Sequence, residues 1–553
     1  MDYQSEYNLW LNNVTDKEIL AQLDTMSKNA EKIQMCFAKN LEFGTAGIRA
    51  QMDAGTNRLN IYTIARATQG VANYIKSCYG KCVTVSYDSR NNSELFAKVT
   101  AAVFAENGLK VYITGKVQPT AVVSYITRHY NAECGIMITA SHNTKEYNGY
   151  KVYGKDGSQI TDETAKKITA EIEKIDIFSV KYLSFDEYLK KGVISYMSGS
   201  VMRSYMSAVM SQSMGTADGL TLVYTPLNGA GHRVVPEILE RIGAKVIRVI
   251  EQSFPNGNFT TCPVPNPEKP EALTLGLRYA AAEKADILLA TDPDCDRVGV
   301  AVLHDDKYVR LSGNEIGILL TDYLLATKRN RNILPKNPVV IKTIVTSPLT
   351  DKIVSDYGGT TVNLLTGFKY IGEYITKMEQ EKNLDKFVFG FEESCGYLSG
   401  SYVRDKDAVV ACMLIAQMTA EYLRHGITLV DKINMLYNKY GRYWHKQQTY
   451  TFEGVNGAEK RTAMMRKLRE HKTESIAGIK VLSKQDLLGN DMEQLPRADV
   501  LIYNLMNNSQ IILRPSGTEP IIKSYITVIG DSAYANLITE KIIESVNNFF
   551  LND

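Results

Sequence analysis

Val83-Thr-Val-Ser-Tyr87, an apolar strand pattern, is followed by a polar turn, a helical stretch and Gly108-Leu-Lys-Val-Tyr-Ile113, a second strand entered through a glycine. The same succession returns twice. Leu222–Tyr224 opens it again, with Gly243 leading into AKVIRVI, and Val339–Val345 opens a third round, with Gly358 and Gly359 leading into TTVNLL. Strand, helix, glycine stop and strand is how a βαβ unit reads, because glycine caps the helix end and the returning strand joins a parallel or mixed sheet. Three related α/β domains in a row are therefore expected. After about residue 440 the pattern changes to TYTFEG, a charged helix over Ala458–His471, short strands and a last helix near Ala533–Asn547, which predicts a fourth domain of α+β type. Breaks are expected near Met197–Ser200, Leu311–Asn314 and Asn438–Arg442, giving domains 1–205, 206–312, 313–438 and 439–553. None of these breaks is low in complexity, so motion between domains would need a hinge rather than a loose tether.

A chain of 553 residues is far longer than one core supports, which agrees with several domains. The formal net charge of +2 argues against a general electrostatic grip on nucleic acid or an acidic membrane. Phosphate binding would have to come from local clusters instead. Met1–Leu20 shows no basic stretch leading into an apolar run, and nowhere do 18 apolar residues run together, so neither a secretory signal nor a membrane span is expected. The eight cysteines are scattered, the closest pair being Cys78 and Cys82, and the seven histidines form no zinc pattern. Reduced thiols in a cytoplasmic protein are the expectation.

Four loops carry chemistry. Gly135-Ile-Met-Ile is a buried strand that ends in Thr139-Ala-Ser141-His-Asn-Thr, and a serine just past a strand's C-terminal end sits where open α/β sheets place ligands. Ser141 could accept and donate a phosphoryl group there, or it could be an ordinary turn serine. A second strand, Ala285–Ala290, runs into Thr291-Asp292-Pro-Asp294-Cys-Asp296-Arg297. Three alternate carboxylates converge on one point and make a hard-oxygen cage suited to magnesium; without a cation they would repel and protonate. An EF-hand is excluded, because its required glycine and glutamate positions hold Arg297 and Leu303. A phosphatase with an aspartyl nucleophile at Asp292 competes with the metal reading, and a solvated turn is the plain alternative.

The third loop, Phe387-Val-Phe-Gly-Phe-Glu392-Glu393-Ser394-Cys-Gly396, delivers carboxylates and a hydroxyl fit to bind sugar hydroxyls. Upstream of it, Thr366-Gly367-Phe-Lys369-Tyr-Ile-Gly372 places a lysine in a glycine-flanked turn, where it could bind phosphate or move a proton, or simply face solvent. The fourth loop, Arg514-Pro-Ser516-Gly517-Thr518-Glu-Pro520, has the components of an anion nest. Two near matches fail: Gly149–Asp156 resembles a phosphate-binding P-loop until Asp156 replaces the required Ser or Thr, and no dinucleotide-binding G-x-G-x-x-G occurs.

Taken in order, TASHN (139–143), DPDCDR (292–297), FEESCG (391–396) and RPSGTEP (514–520) resemble the active-serine, metal, sugar and phosphate loops of the α-D-phosphohexomutase family, and FGTAGIR (43–49) is similar to a further motif of that family. The resemblance spans nearly the whole chain. It implies four domains around a central cleft, three of them α/β. It implies that phosphorylated Ser141 donates to the sugar, that a bisphosphate turns over in the cleft, and that Mg²⁺ is held by Asp292, Asp294, Asp296 and an oxygen of the phosphoserine. Arg49 and Arg297 would neutralise charge on the transferring group, Arg514, Ser516, Gly517 and Thr518 would anchor the idle phosphate, and Glu392 and Ser394 would grip the sugar. His142, Lys151 and Lys369 are the candidates for proton transfer, Lys369 slightly ahead for its loop beside Gly367. The active loop departs from many relatives in lacking proline after Asn143, a change of loop stiffness. GFKYIG and the long segment before FGTAGIR look more like the branch that holds phosphoglucomutase-2 and phosphopentomutase. Glucose 1-phosphate and glucose 6-phosphate, with glucose 1,6-bisphosphate as intermediate, are the favoured substrates; mannose or pentose phosphates, or synthesis of the bisphosphate itself, are the alternatives on the same scaffold. A non-catalytic phosphosugar sensor is the alternative from another class, though the serine and the Asp triplet are intact.

Overall fold

The computed structural model describes residues 2–44, 47–452, 456–489, 495–516 and 521–551. They form two compact units, Met1–Leu320 with Phe368–Leu429, and Thr321–Gly367 with Val430–Asp553. The first opens with three short helices, Tyr3–Asn13, Lys17–Met26 and Ala30–Phe37. Asp2, Asp16 and Asn29 start them by accepting first-turn N–H groups. These helices bury a small core of their own, in which the rings of Tyr7 and Trp10 both meet Phe37 edge-on at 5.6 Å.

Two mixed sheets follow. Strands β1 (Ile48–Gln51), β2 (Cys82–Tyr87), β3 (Lys110–Ile113), β4 (Cys134–Ile138), β5 (Tyr147–Gly154) and β6 (Ile194–Tyr196) lie in the order β1-β5-β4-β2-β3-β6. The pairings β4-β2, β2-β3 and β3-β6 are parallel, whereas β5 turns back antiparallel to β4 and β1. Strands β7 (Thr221–Thr225), β8 (Lys245–Arg248), β9 (Ile287–Thr291), β10 (Val298–His304) and β11 (Lys307–Leu311) repeat the plan in the order β11-β10-β9-β7-β8. Here β7 is parallel to β8 and β9, and β10 turns back antiparallel to β9. Every residue of β4 and β9 is buried, as the continuous apolar runs require of strands covered on both faces. The loops that leave β4 and β9 thus occupy equivalent places in the two sheets.

The third repeat gives the parallel pair Val339–Thr343 and Thr360–Leu364 in the second unit, and the antiparallel pair Phe387–Glu392 and Gly396–Leu398 in the first. The three stop glycines do what the sequence suggested. Gly108, Gly243 and Gly358 follow the helices Ser93–Glu106, Val234–Arg241 and Leu349–Asp356 with φ of 77°, 93° and 69°, a left-handed conformation in which a side chain is strained. The expected breaks at Met197–Ser200 and Leu311–Asn314 are turns from a strand into the helices Gly199–Met210 and Gly313–Asn330, and the third overlaps the end of Leu429–Tyr440.

The C-terminal part is an antiparallel six-stranded sheet in the order Tyr443–Thr451, Ile521–Ile529, Gln510–Pro515, Leu501–Leu505, Ile479–Asp486 and Ser475–Ile476. Helices Gly457–Glu470 and Ser532–Leu551, each within a few residues of its expected span, join it in one core through Met465, Leu468, Ala535 and Ile542. The fold is therefore three α/β domains with mixed sheets and a fourth, α+β domain built on an antiparallel sheet. Among the described residues no helix is long and apolar enough to cross a membrane.

Candidate active site

The serine loop is fastened from below. After β4 the chain turns at Ser141, whose φ of 51° is left-handed. The Ser141 N–H donates to Thr139 Oγ1 at 2.8 Å, and the Thr139 hydroxyl donates to Asp88 Oδ2 at 2.6 Å. Asp88 also accepts from the Ser93 hydroxyl at 2.7 Å and pairs with Arg90 Nε at 3.3 Å. The Arg90 guanidinium then gathers the loop: Nη1 donates to the carbonyls of Thr144 and Tyr147 at 2.9 and 3.0 Å, and Nη2 to those of Ser141 and Asn143. Burial pushes the Asp88 carboxyl up, and Arg90 only partly offsets it.

The loop after β9 meets this serine. The Ser141 hydroxyl donates to Asp292 Oδ2 at 2.8 Å, while Asp292 Oδ1 accepts the N–H groups of Asp296 and Arg297, both at 3.0 Å. Asp294 Oδ2 accepts from Lys151 Nζ at 2.8 Å and from the Thr120 hydroxyl at 2.9 Å. Asp296 Oδ2 lies 3.3 Å from Lys406 Nζ and 3.5 Å from Lys151 Nζ. Arg297 pairs with Glu268 at 2.6 Å, and its Nε stands 3.8 Å from Asp296 Oδ1. Burial, with Asp294 and Asp296 close by, drives the Asp292 carboxyl well above the carboxylate range. Burial would raise Asp296 too, but Lys406, Lys151 and Arg297 outweigh it and hold that carboxyl far below its usual range. Lys151 loses charge stability to burial and regains more from Asp294 and Asp296, so it stays an ammonium.

These residues fit a metal ion. One oxygen from each of Asp292, Asp294 and Asp296 lies within 4.8 Å of the others, and all three side chains are buried. Asp294 Oδ1 and Asp296 Oδ1 are buried with no hydrogen-bond partner, an arrangement that costs about 1–3 kcal/mol per atom unless a cation meets it. A phosphate on Ser141 would add roughly −1.5 to −2 charges beside Asp292, which makes a divalent counter-charge at this point more necessary still.

The other expected site residues fall as follows. His142 Nδ1 is 3.1 Å from Ser141 Oγ; burial, then Arg297 and Arg49, pull its pKa well below the ordinary imidazole value, so the ring is neutral. Arg49, on β1, donates from Nη1 to Asn143 Oδ1 at 3.1 Å. Glu392 ends the strand Phe387–Glu392, buried, with Oε2 3.9 Å from Lys406 Nζ. Ser394 lies in the turn that follows, where the Cys395 carbonyl accepts the Val298 N–H at 3.1 Å and ties this loop to β10. Lys369 is placed elsewhere: its ammonium pairs with Asp162 and stands over the Tyr370 ring at 4.7 Å, so Lys151 and not Lys369 is the candidate lysine at the aspartates. Gly367, with φ of 124°, and Arg514, in the strand Gln510–Pro515, belong to the second unit. There the Ser516 N–H donates to the Ile521 carbonyl at 2.9 Å and its carbonyl accepts from Arg461. Gly517 and Thr518 lie outside the described residues.

Sequence reading missed Lys406, Asp88, Arg90 and Thr120. Lys406 sits in Arg404-Asp-Lys-Asp407, a run that reads as a solvated turn, yet all four residues are buried. The signal was its position directly before an apolar helix, Ala408–Arg424, whose N-cap is Asp407.

Known proteins match this architecture throughout. Residues 40–177, 203–305 and 312–440 match, in order, the α/β/α domains I, II and III of phosphoglucomutase/phosphomannomutase. A phosphoglucomutase of Staphylococcus haemolyticus is 33% identical over 98% of this chain and 99% of its own length. Among solved structures, a phosphoglucomutase/phosphomannomutase family protein from Burkholderia thailandensis superposes with a TM-score of 0.68 at 17% identity, covering 92% of this chain and 96% of its own. Parafusin from Paramecium, described as a phosphoglucomutase and solved in an open form, gives 0.67 at 16% identity, covering 93% and 97%. Three consecutive domain matches and a likeness that runs the length of the chain show that it belongs to the phosphoglucomutase/phosphomannomutase family, the α-D-phosphohexomutases.

Proposed function

We propose that the protein is a phosphoglucomutase, interconverting glucose 1-phosphate and glucose 6-phosphate through a phosphoserine at Ser141 and a glucose 1,6-bisphosphate intermediate. The observation that carries the reading is the hydrogen bond from the Ser141 hydroxyl to Asp292, which joins the nucleophile of one α/β domain to the buried carboxylates of the next. In the forward half-reaction the phosphoryl group leaves Ser141 Oγ for the free sugar hydroxyl; after the bisphosphate turns over, the other phosphoryl group returns to Ser141. Asp292, Asp294, Asp296 and an oxygen on Ser141 would hold Mg²⁺, which when bound withdraws charge from the transferring group.

The chain's own residues divide the remaining tasks. Arg49 and Arg297 lie beside the serine and aspartate loops and stabilise equatorial oxygens. Neutral His142, beside Ser141 Oγ, accepts a proton, and the charged Lys151 donates one. Glu392 and Ser394 bind sugar hydroxyls, and the loop of Arg514, Ser516, Gly517 and Thr518 anchors the idle phosphate. This goes with the division into domains 1–205, 206–312, 313–438 and 439–553. A cytoplasmic setting fits the eight cysteines, all of which are free.

The test is a rate assay on glucose, mannose and ribose 1-phosphates with Mg²⁺ and glucose 1,6-bisphosphate, comparing the wild type with Ser141→Ala. A glucose-preferring activity lost in the variant supports the reading. Preference for mannose or ribose moves the substrate, and activity that survives Ser141→Ala removes the serine from the chemistry.

A further inference from the structure

Phe259 is bulky, wholly buried and yet held at a left-handed φ of 46°. A large side chain pays for that conformation only where its surroundings fix it, which makes such a residue worth explaining. Its ring meets the guanidinium of Arg90, whose central carbon stands 5.1 Å from the ring centroid. Arg90 is the cation that holds four carbonyls of the serine loop together with Asp88. The guanidinium carbon thus stands over the face of an aromatic ring, an attractive arrangement when both groups are out of water.

The ring comes from the second α/β domain and the arginine from the first. The approach is close by construction: a Cβ on Gly257 would come within 2.3 Å of the Asn91 backbone nitrogen, so only glycine fits there. Asn91 Nδ2 donates to Asn258 Oδ1 at 3.0 Å across the same contact. The loop is moored behind by Asn228, whose carbonyl accepts the Asn256 N–H at 3.1 Å and whose Nδ2 donates to the Phe254 carbonyl at 2.9 Å. Two residues on, the Ala230 N–H donates to the carbonyl of Pro293, inside the aspartate loop, at 2.7 Å. One run of contacts therefore leads from the aspartate loop through Asn228 and Phe259 to Arg90 and the serine loop.

We propose that Arg90 and Phe259 are positioning residues for phosphoryl transfer: the Phe259 ring holds the Arg90 guanidinium in place, and the guanidinium sets the pose of Ser141 against the aspartates. Neither touches substrate. Lysine cannot replace the arginine, because a point charge on a flexible stem cannot serve four carbonyls and a carboxylate from one rigid plane. The inference rests on the phosphoserine reading.

The experiment is a rapid-quench measurement of transfer from phosphorylated Ser141 to glucose 1-phosphate in the wild type, Phe259→Leu and Arg90→Lys. Mg²⁺ affinity, KM and melting temperature are measured alongside. Misplacing the reacting atom by a fraction of its reach costs on the order of 100-fold in rate. Arg90→Lys is expected to lose about that, and Phe259→Leu about tenfold as the loss of one desolvated cation–π contact. Mg²⁺ affinity and KM should change less than about twofold. A purely structural role would lower the melting temperature and leave the rate per folded molecule at the wild-type value, which overturns the inference. Should Arg90→Lys not fold, Phe259→Leu decides alone. A wild type whose Ser141 carries no transferable phosphate overturns the proposed function and this inference together; a competent wild type matched by its variants overturns only the inference.

Discussion

Removing divalent cations from the protein and restoring Mg²⁺ should raise the melting temperature of the first unit by an amount the site itself sets. Asp294 Oδ1 and Asp296 Oδ1 are buried without a hydrogen bond, at a cost of about 1–3 kcal/mol each, so relief of both contributes roughly 2–6 kcal/mol. A unit of roughly 380 residues unfolds with an entropy near 0.8 kcal/mol per degree, which converts the relief to a shift of about 2.5–7.5 °C. Mass action gives a similar figure, since saturation at about 100 times Kd adds roughly 2.7 kcal/mol. Differential scanning calorimetry over an Mg²⁺ series measures this directly. Asp294→Asn removes one charged donor, and its shift should shrink to less than about 1 °C at the same Mg²⁺. A wild type indifferent to Mg²⁺, or an Asp294→Asn protein that shifts as much as the wild type, would refute the reasoning.

Three further outcomes are expected. Lys151→Met removes a buried counter-charge from Asp294 and Asp296 and should cost about 3–5 kcal/mol of stability in the metal-free protein and most of the activity; Lys369→Met, which breaks the pair with Asp162 and the contact with the Tyr370 ring, should change kcat less than about threefold, and the reverse ranking in a steady-state assay would restore Lys369 to the proton path. Glu392→Ala should raise KM for glucose 1-phosphate on the order of tenfold while the Mg²⁺-induced melting shift persists; an unchanged KM would take Glu392 out of sugar binding. In the second unit, burial and then Lys342 pull His445 down to about 4, against about 6.5 unfolded. Below about pH 6.5 the unfolded chain binds a proton that the folded one refuses, so this group's stability is complete above that pH and is lost as pH falls toward 4, by up to about 3 kcal/mol. Melting curves of His445→Leu should be flatter across that window; the same slope as wild type would assign the acid sensitivity elsewhere.

How much was legible in the chain depended on the range of the interactions. The βαβ rounds could be read because apolar strands, glycine stops and helix lengths are local, and Gly108, Gly243 and Gly358 sit where the pattern put them. Ser141 and the Asp292–Asp296 loop could be read because each follows a fully buried strand. Lys406, Arg90 and Phe259 could not. Their roles lie in contacts between residues far apart in sequence, such as Lys406 with Asp296 and Phe259 with Arg90, and apart from the place of Lys406 just before an apolar helix nothing local distinguishes them from a turn lysine, a helix-start arginine or a loop aromatic. Lys369 was ranked ahead for a local reason, its glycine-flanked turn, and a neighbour invisible in sequence, Asp162, claims its charge instead. The three N-terminal helices went unread, since Trp10, Leu23 and Phe37 make a core only once three short helices are brought together.

The most direct test of the phosphoserine is to incubate the protein with Mg²⁺ and glucose 1,6-bisphosphate labelled in its phosphates, then locate the label. It is expected on Ser141, stable to hydroxylamine, and discharged into bisphosphate by unlabelled glucose 1-phosphate. A hydroxylamine-labile label on Asp292, or release of the phosphate to water with Ser141 never labelled, would contradict the account.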